Sequence, residues 1–225
     1  MSLTSRLWVK VRLPFDISSQ PPTDGAHPQE VILLLHGFAE TGARMLKKIA
    51  PAIPERLRER ALIVAPNAPF LMPHRTEQGY SATYAWYFYD PTTDEYAIDM
   101  SPAVDFLKEG LKQLGLEKLP KRIIGFSQGG FLAPIAAASL ENVQHLIGIG
   151  CETLVDEIPG PLPRSVSYRV DAIHGVLDES VSIERAQASH ERLMRLEVPG
   201  SFQRLEGSGH RIDDAIREKL TALLS

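Results

Sequence analysis

The chain has 225 residues, 44% of them hydrophobic, with a formal net charge of -4; this is a globular composition, long enough for one large core, and it gives no electrostatic reason to bind nucleic acid. Its one cysteine, Cys151, excludes an internal disulfide and a cysteine-built zinc site, so nothing demands an oxidising compartment. The apolar run 31–35 is too short to cross a bilayer and the first residues lack a signal peptide's hydrophobic stretch, so a cytoplasmic protein without a transmembrane segment is expected.

Residues 7–13 alternate apolar and mostly polar side chains, the pattern of an edge strand, and 18–28, rich in Pro, Ser, Gly and Asp, reads as a loop. The run 31–35 is apolar without alternation, as in a strand covered on both faces. A helix over 43–60 and a buried strand over 62–65 follow. Residues 66–91 fit regular structure poorly, with a Pro-Asn-Ala-Pro turn and a crowd of aromatics, and 70–91 is expected to act as a flap loop. The rhythm then resumes: helix 102–114, strand 122–126, helix 132–140, strand 145–149, an irregular Pro/Gly-rich stretch 152–164, strand 167–173, a charged helix 183–196 and strand 201–205. Ile212, Ile216, Leu220 and Leu223 mark one face of a closing helix. Alternating strands and helices predict an α/β fold, a doubly wound and mostly parallel sheet with helices on both faces. One domain over 1–225 is expected, with no insertion long enough for a large cap domain.

In such sheets ligands bind beyond the carboxyl ends of the strands, so the residues just past each strand are the candidates for chemistry. After strand 122–126 stands Gly125-Phe126-Ser127-Gln128-Gly129. The pattern G-x-S-x-G alone arises by chance in roughly one chain of this size in thirteen, but here a buried strand precedes it and a helix follows, the setting in which a tight turn exposes a nucleophilic hydroxyl. Ser127 is the candidate nucleophile. A serine needs a base and the base an orienting carboxylate, in the chain order Ser, Asp or Glu, His. Asp178 follows strand 167–173 and His210 lies on the glycine-rich turn after strand 201–205, so they are the candidate acid and base.

The rivals read differently. Glu179, next to Asp178, points elsewhere; Asp156 lies in an irregular loop after the wrong strand. His190, inside the charged helix, reads as a solvated surface residue, and His174 as a partly buried structural one. His145 begins a strand, His27 and His74 lie in loops, no histidine spacing suggests a metal site, and Ser208 leads into no helix in the required way. Oxyanion donors should be the backbone N–H of Gln128 and one from the loop Leu35-His36-Gly37-Phe38, where Gly37 lets the chain turn in close and leaves the Phe38 N–H facing the substrate.

His36-Gly37-Phe38, Pro66 to Pro69, Trp86 to Asp90, Gly125 to Gly130, His174-Gly175-x-x-Asp178 and Gly209-His210, in this order, resemble the carboxylesterase and lysophospholipase family of α/β-hydrolases that includes the acyl-protein thioesterases. The similarity spans roughly residues 30–225. It implies a triad of Ser127, Asp178 and His210, Phe38 and Gln128 as backbone oxyanion donors, ester or thioester substrates that often carry an acyl chain, and no metal or organic cofactor. Two departures stand out. Ala39-Glu40 follow Phe38 where the family often has Gly-Asp or Gly-Gly, and the bulk of Phe38 is expected to narrow the acyl pocket. Pro134, beyond the first turn of the helix after the nucleophile, should kink it.

For the substrate, Phe70, Leu71, Trp86 and Phe88 are candidates for an apolar wall, with part of the 84–89 run packing into the core instead. The exposed aromatics also suit a homodimer contact. Alternatives from other classes are an amidase or peptidase using the same triad, and a non-catalytic binding protein on this fold.

Overall fold

The computed structural model describes residues 12–154 and 168–225. Most of the expected strand at 7–13, most of the 152–164 stretch and Asp156 lie outside them.

In chain order the elements are β1 (Ile17–Gln20), β2 (Glu30–Leu35), α1 (Gly42–Ile49), a 3-10 turn (Ala50–Ala52), α2 (Glu55–Arg58), β3 (Ala61–Pro66), β4 (Phe70–Thr76), β5 (Gly79–Ala85), β6 (Phe88–Asp90), β7 (Glu95–Ile98), α3 (Ser101–Gln113), β8 (Lys121–Phe126), α4 (Gln128–Ser139), β9 (Val143–Ile149), β10 (Arg169–Gly175), α5 (Ile183–Arg195), β11 (Gly200–Leu205) and α6 (Asp214–Leu224). Seven strands form one sheet in the order β1-β3-β2-β8-β9-β10-β11. β1 runs antiparallel to β3 and the other neighbours pair in parallel.

Each central strand is buried on both faces, and alternate side chains feed two cores. Val31, Leu33 and Leu35 of β2 pack with α3, α4 and α5. Ile32 and Leu34 pack on the other face with α1, α2 and α6. From β2 the chain moves outward to β3, then returns to place β8 on the other side of β2. The order therefore reverses between β2 and β8, and the crevice beyond their carboxyl ends is where this topology holds ligands.

The opposite end of the sheet carries a polar belt along one face. Glu30 accepts from Arg60 and Arg122, at 2.7 and 2.9 Å. His145 lies 2.7 Å from Asp171, which also accepts from Arg169 and, at 2.6 Å, from Ser201. Burial alone would raise the Asp171 pKa, but the bonds from His145, Arg169 and Ser201 outweigh it and hold the carboxyl well below its ordinary range. The belt links five neighbouring strands and the residue preceding a sixth, and it pins their register at the end away from the crevice.

Several expectations need correction. The 43–60 helix is three short pieces, because Pro51 and Pro54 interrupt it. Residues 18–20, read as loop, belong to β1, whose backbone pairs with β3. Residues 70–91 are not irregular: β4 and β5 form an antiparallel hairpin closed by Glu77-Gln78, and β6 pairs with β7. Pro73 is tolerated there because β4 is an edge strand, whose outward N–H positions need no partner. α4 begins directly after Ser127 and runs to Ser139 without a break at Pro134, so the expected kink does not interrupt it.

Candidate active site

Ser127 sits between β8 and α4 at φ 50° and ψ -121°, a conformation few side chains adopt. The flanking glycines make it feasible. A Cβ at Gly125 would lie 2.4 Å from the Gly129 carbonyl oxygen, and one at Gly129 would lie 2.4 Å from that of Leu35. The turn is held by the Ser127 N–H, which donates to the Ile149 carbonyl at 2.9 Å. Its hydroxyl is thereby aimed at the turn after β11, where His210 Nε2 lies 2.9 Å from Ser127 Oγ.

His210 Nδ1 lies 2.7 Å from Asp178 Oδ2. The carboxylate can only accept, so Nδ1 carries the proton and Nε2 presents its lone pair to the serine hydroxyl. Asp178 Oδ1 accepts the Ser180 and Val181 N–H groups, each at 2.9 Å, which orients the carboxylate from behind. The Asp178 side chain is fully buried, while His210 keeps an exposed edge toward the crevice. Gly150, at φ 58°, passes so close that a Cβ there would lie 3.3 Å from His210 Nδ1. The Phe126 ring packs 5.1 Å from the imidazole.

The Gln128 N–H is the first of α4 and has no carbonyl one turn earlier to bond. Among the described residues no protein acceptor takes it or the Phe38 N–H. Gly37 brings the Phe38 loop against Ser127, its Cβ position lying 3.5 Å from Ser127 Cβ. His36 is buried and braced on both sides. Its Nδ1 donates to the Gly37 carbonyl at 2.7 Å and its Nε2 accepts the Ala68 N–H at 3.0 Å. Where the family often has glycine, Ala39 takes φ 55°, the left-handed region. The buried Glu40 carboxylate accepts the Gly37 N–H at 3.4 Å and pairs with Lys48, so a side chain outside the expected set anchors this loop.

The candidate wall residues separate. The Phe70 and Phe88 rings meet at 5.8 Å, half-buried, and Leu71 is 59% exposed on the hairpin. Phe38 is 53% exposed, so its ring lies on the surface instead of filling an interior pocket. Trp86 is a correction: it is 0% exposed, its indole N–H donates to the His36 carbonyl at 2.8 Å, and it presents no surface to a ligand.

Among the rivals, Glu179 is exposed, Ser208 Oγ bonds Asp213 at the start of α6, and His174 is fully buried, its Nε2 donating to the Val181 carbonyl at 3.0 Å. No group of three or more His, Cys, Asp or Glu among the described residues is placed to hold a metal ion. Burial pushes the Cys151 thiol up to about 12, so it is no nucleophile at neutral pH.

His190 reverses its reading as a surface residue. It is 1% exposed, packs against Phe202, and neither ring nitrogen has a partner. Ile183, Ala186 and Leu193 are buried on the same face of α5, and that spacing was the available signal. Burial lowers the pKa of His36 and His190 from 6.5, against the Gly37 carbonyl and Glu40 for the first and Asp171 and Glu191 for the second. Such a base binds more protons unfolded than folded, so its contribution to stability is complete above 6.5 and is lost as pH falls below it. The slope reaches about 1.4 kcal/mol per pH unit for each histidine. In urea unfolding, His190→Leu is therefore expected to lose less stability than the wild type between about pH 7.5 and about pH 5.5, by on the order of 1 kcal/mol. Equal losses would show that His190 takes up no proton on unfolding.

The chain belongs to the serine hydrolase (FSH1) family, whose model matches residues 26–158, a span that includes the Gly37–Phe38 loop and Ser127. Its fold is the α/β-hydrolase fold, without a large cap among the described residues. It is similar to esterase PE8, with a TM-score of 0.70 and 22% identity over 95% of this chain and 98% of that one. Zea mays acyl-protein thioesterase 2 has a TM-score of 0.67 and 17% identity over 93% and 97% of the two chains. The Bacillus cereus carboxylesterase has a TM-score of 0.65 and 16% identity over 93% of each. At these identities the likeness shows the fold. No helix among the described residues is long and apolar enough to cross a membrane.

Proposed function

We propose that the protein cleaves carboxylic esters or thioesters with an apolar acyl group, through an acyl-enzyme on Ser127. The observation that carries this is the hydrogen-bonded series from Ser127 Oγ to His210 Nε2 at 2.9 Å and from His210 Nδ1 to Asp178 at 2.7 Å. His210 takes the hydroxyl proton as Oγ attacks the acyl carbon, and Asp178 stabilises the imidazolium that forms. The Phe38 and Gln128 N–H groups receive the oxyanion, each contributing on the order of 10² to 10³ in rate. His210 returns the proton to the leaving alcohol or thiol. Water, deprotonated by the same imidazole, then attacks the acyl-serine; as the tetrahedral intermediate collapses and the acid leaves, His210 returns that proton to Ser127 Oγ. The apolar preference rests on the exposed Phe38 of the oxyanion loop and on the exposed Leu71, which pairs with Tyr84, whose N–H bonds the Glu40 carbonyl of that loop; Phe70, next to Leu71, packs against Phe88. The esterase and thioesterase neighbours support the reaction class, and no observation favours an amide substrate.

The test is hydrolysis of p-nitrophenyl esters from acetyl to palmitoyl, with labelling of the serine by a fluorophosphonate. A rise of kcat/KM from acetyl toward medium chains and a single adduct on Ser127 are expected. A folded protein that takes no label and turns over no ester would leave the site a binding site without turnover.

A further inference from the structure

The side chain at the first position of α4 has no part in the mechanism above, yet it makes two well-formed hydrogen bonds in the interior. Gln128 Oε1 accepts the Trp86 N–H at 2.9 Å, and Gln128 Nε2 donates to the Tyr87 carbonyl at 2.8 Å. Both ends of the amide are thus committed to one short stretch of backbone, where β5 returns to the body of the molecule. Trp86 in turn donates its indole N–H to the His36 carbonyl at 2.8 Å. The segments that carry the two oxyanion donors, Gly37-Phe38 and Gln128, are both bonded to the same residue.

This brace meets a need created by the nucleophile. A serine at the start of a helix ordinarily caps it, its oxygen accepting an N–H of the first turn. Ser127 makes no such bond, because its hydroxyl faces His210. The first turn of α4, which carries the Gln128 N–H, lacks its usual side-chain anchor at the point where an oxyanion donor must hold position to a fraction of an ångström. On the other side, His36 donates to the Gly37 carbonyl and accepts the Ala68 N–H, which ties the loop just before Phe38 to the turn after β3.

We infer that the Gln128 side chain is a positioning residue that sets the spacing of the two oxyanion donors through Trp86. The inference rests on the proposed acyl-transfer reaction and adds a determinant of its rate. Binding of the substrate ground state does not depend on this spacing. The tetrahedral oxyanion does, so the effect falls on kcat and not on KM.

Gln128→Met keeps the length and the backbone N–H but loses both bonds. It is expected to lower kcat for a p-nitrophenyl ester roughly 10- to 100-fold with KM changed less than about twofold. The affinity for an alkyl boronic acid, which forms a tetrahedral adduct on serine, should fall by the same factor, while that for the carboxylic acid product stays unchanged. Gln128→Glu separates positioning from general packing. Its protonated carboxyl can accept from the Trp86 N–H and donate to the Tyr87 carbonyl, whereas its carboxylate can only accept. The kcat of Gln128→Glu relative to wild type should therefore climb from about pH 8.5 to about pH 6, with the Gln128→Met ratio flat. Wild-type kcat and boronate affinity in Gln128→Met would overturn the inference, as would a loss confined to KM. If Gln128→Met does not fold, a pH-independent ratio for Gln128→Glu does the same. A wild type that neither turns over esters nor takes a fluorophosphonate refutes the acyl-transfer reading instead, before either variant is compared.

Discussion

Replacing Ser127 with alanine is expected to lower kcat for ester hydrolysis by about 10⁴- to 10⁶-fold while leaving the fold intact. The size follows from the proposed acyl-enzyme: without the atom that would carry the acyl group, what survives is the catalysis that the proposed oxyanion donors and substrate binding give to direct attack by water. The fold survives because the hydroxyl's one bond is to His210, and the turn is held by backbone groups that alanine retains. The Ser127 N–H bonds the Ile149 carbonyl at 2.9 Å, and the Ser127 carbonyl accepts from Gly130 and Phe131 at 2.8 and 3.0 Å. Steady-state kinetics on the preferred p-nitrophenyl ester, with thermal unfolding of both proteins, makes the comparison. A variant that unfolds like the wild type and retains turnover within tenfold would remove Ser127 as the nucleophile.

The largest stability effect is expected at the far end of the same strand. Lys121 opens β8 at 0% exposure, and its ammonium donates to the carbonyls of Glu117, Leu119 and Glu141 at 2.7, 2.7 and 3.0 Å. Those carbonyls end the chain segments leading into β8 and β9, so the lysine fastens two connections at once. Desolvation lowers its pKa, with the charges of Glu141 and Glu117 acting against the shift. Lys121→Met keeps the volume and leaves three acceptors without their charged donor, which should cost about 3 to 5 kcal/mol. Against a total stability of about 5 to 15 kcal/mol this is a large fraction, so the urea midpoint should fall steeply with an unchanged slope. The neighbouring Lys118–Glu141 pair is exposed on both sides, and Lys118→Met should leave the midpoint where it is. Equal effects from the two lysines would mean that the buried cage adds nothing to stability.

The candidate site was legible because its parts are local signals at strand ends. Gly125 and Gly129 are demanded by a close approach of backbone to backbone, and only glycine can satisfy it, so the requirement shows in the chain itself. Asp178 and His210 were found by the order of strands and turns, and the structure brings both within hydrogen-bonding distance of their partners. Trp86 and His190 were misread for the same reason: an aromatic among aromatics and a histidine among charges show their composition, not the face they turn inward. The periodicity of α5 held the answer for His190, whereas nothing local distinguished Trp86 from Phe88.

Sequence by itself determined the alternation of strands and helices, the two-faced burial of the sheet and the three candidate residues, Ser127, Asp178 and His210, that the fold joins by hydrogen bonds. Each of these is encoded by short-range pattern, because side-chain period and glycine geometry act over a few residues. Tertiary structure alone decided the rest. β1 exists because β3 offers it an edge, and the β4–β5 hairpin exists because its strands pair with each other across the Glu77-Gln78 turn. Gln128 and Lys121 acquire their roles from partners 42 and up to 20 positions away. A hydrogen bond between side chain and distant backbone depends on which loop the fold carries past that atom, and no local pattern of residues records it.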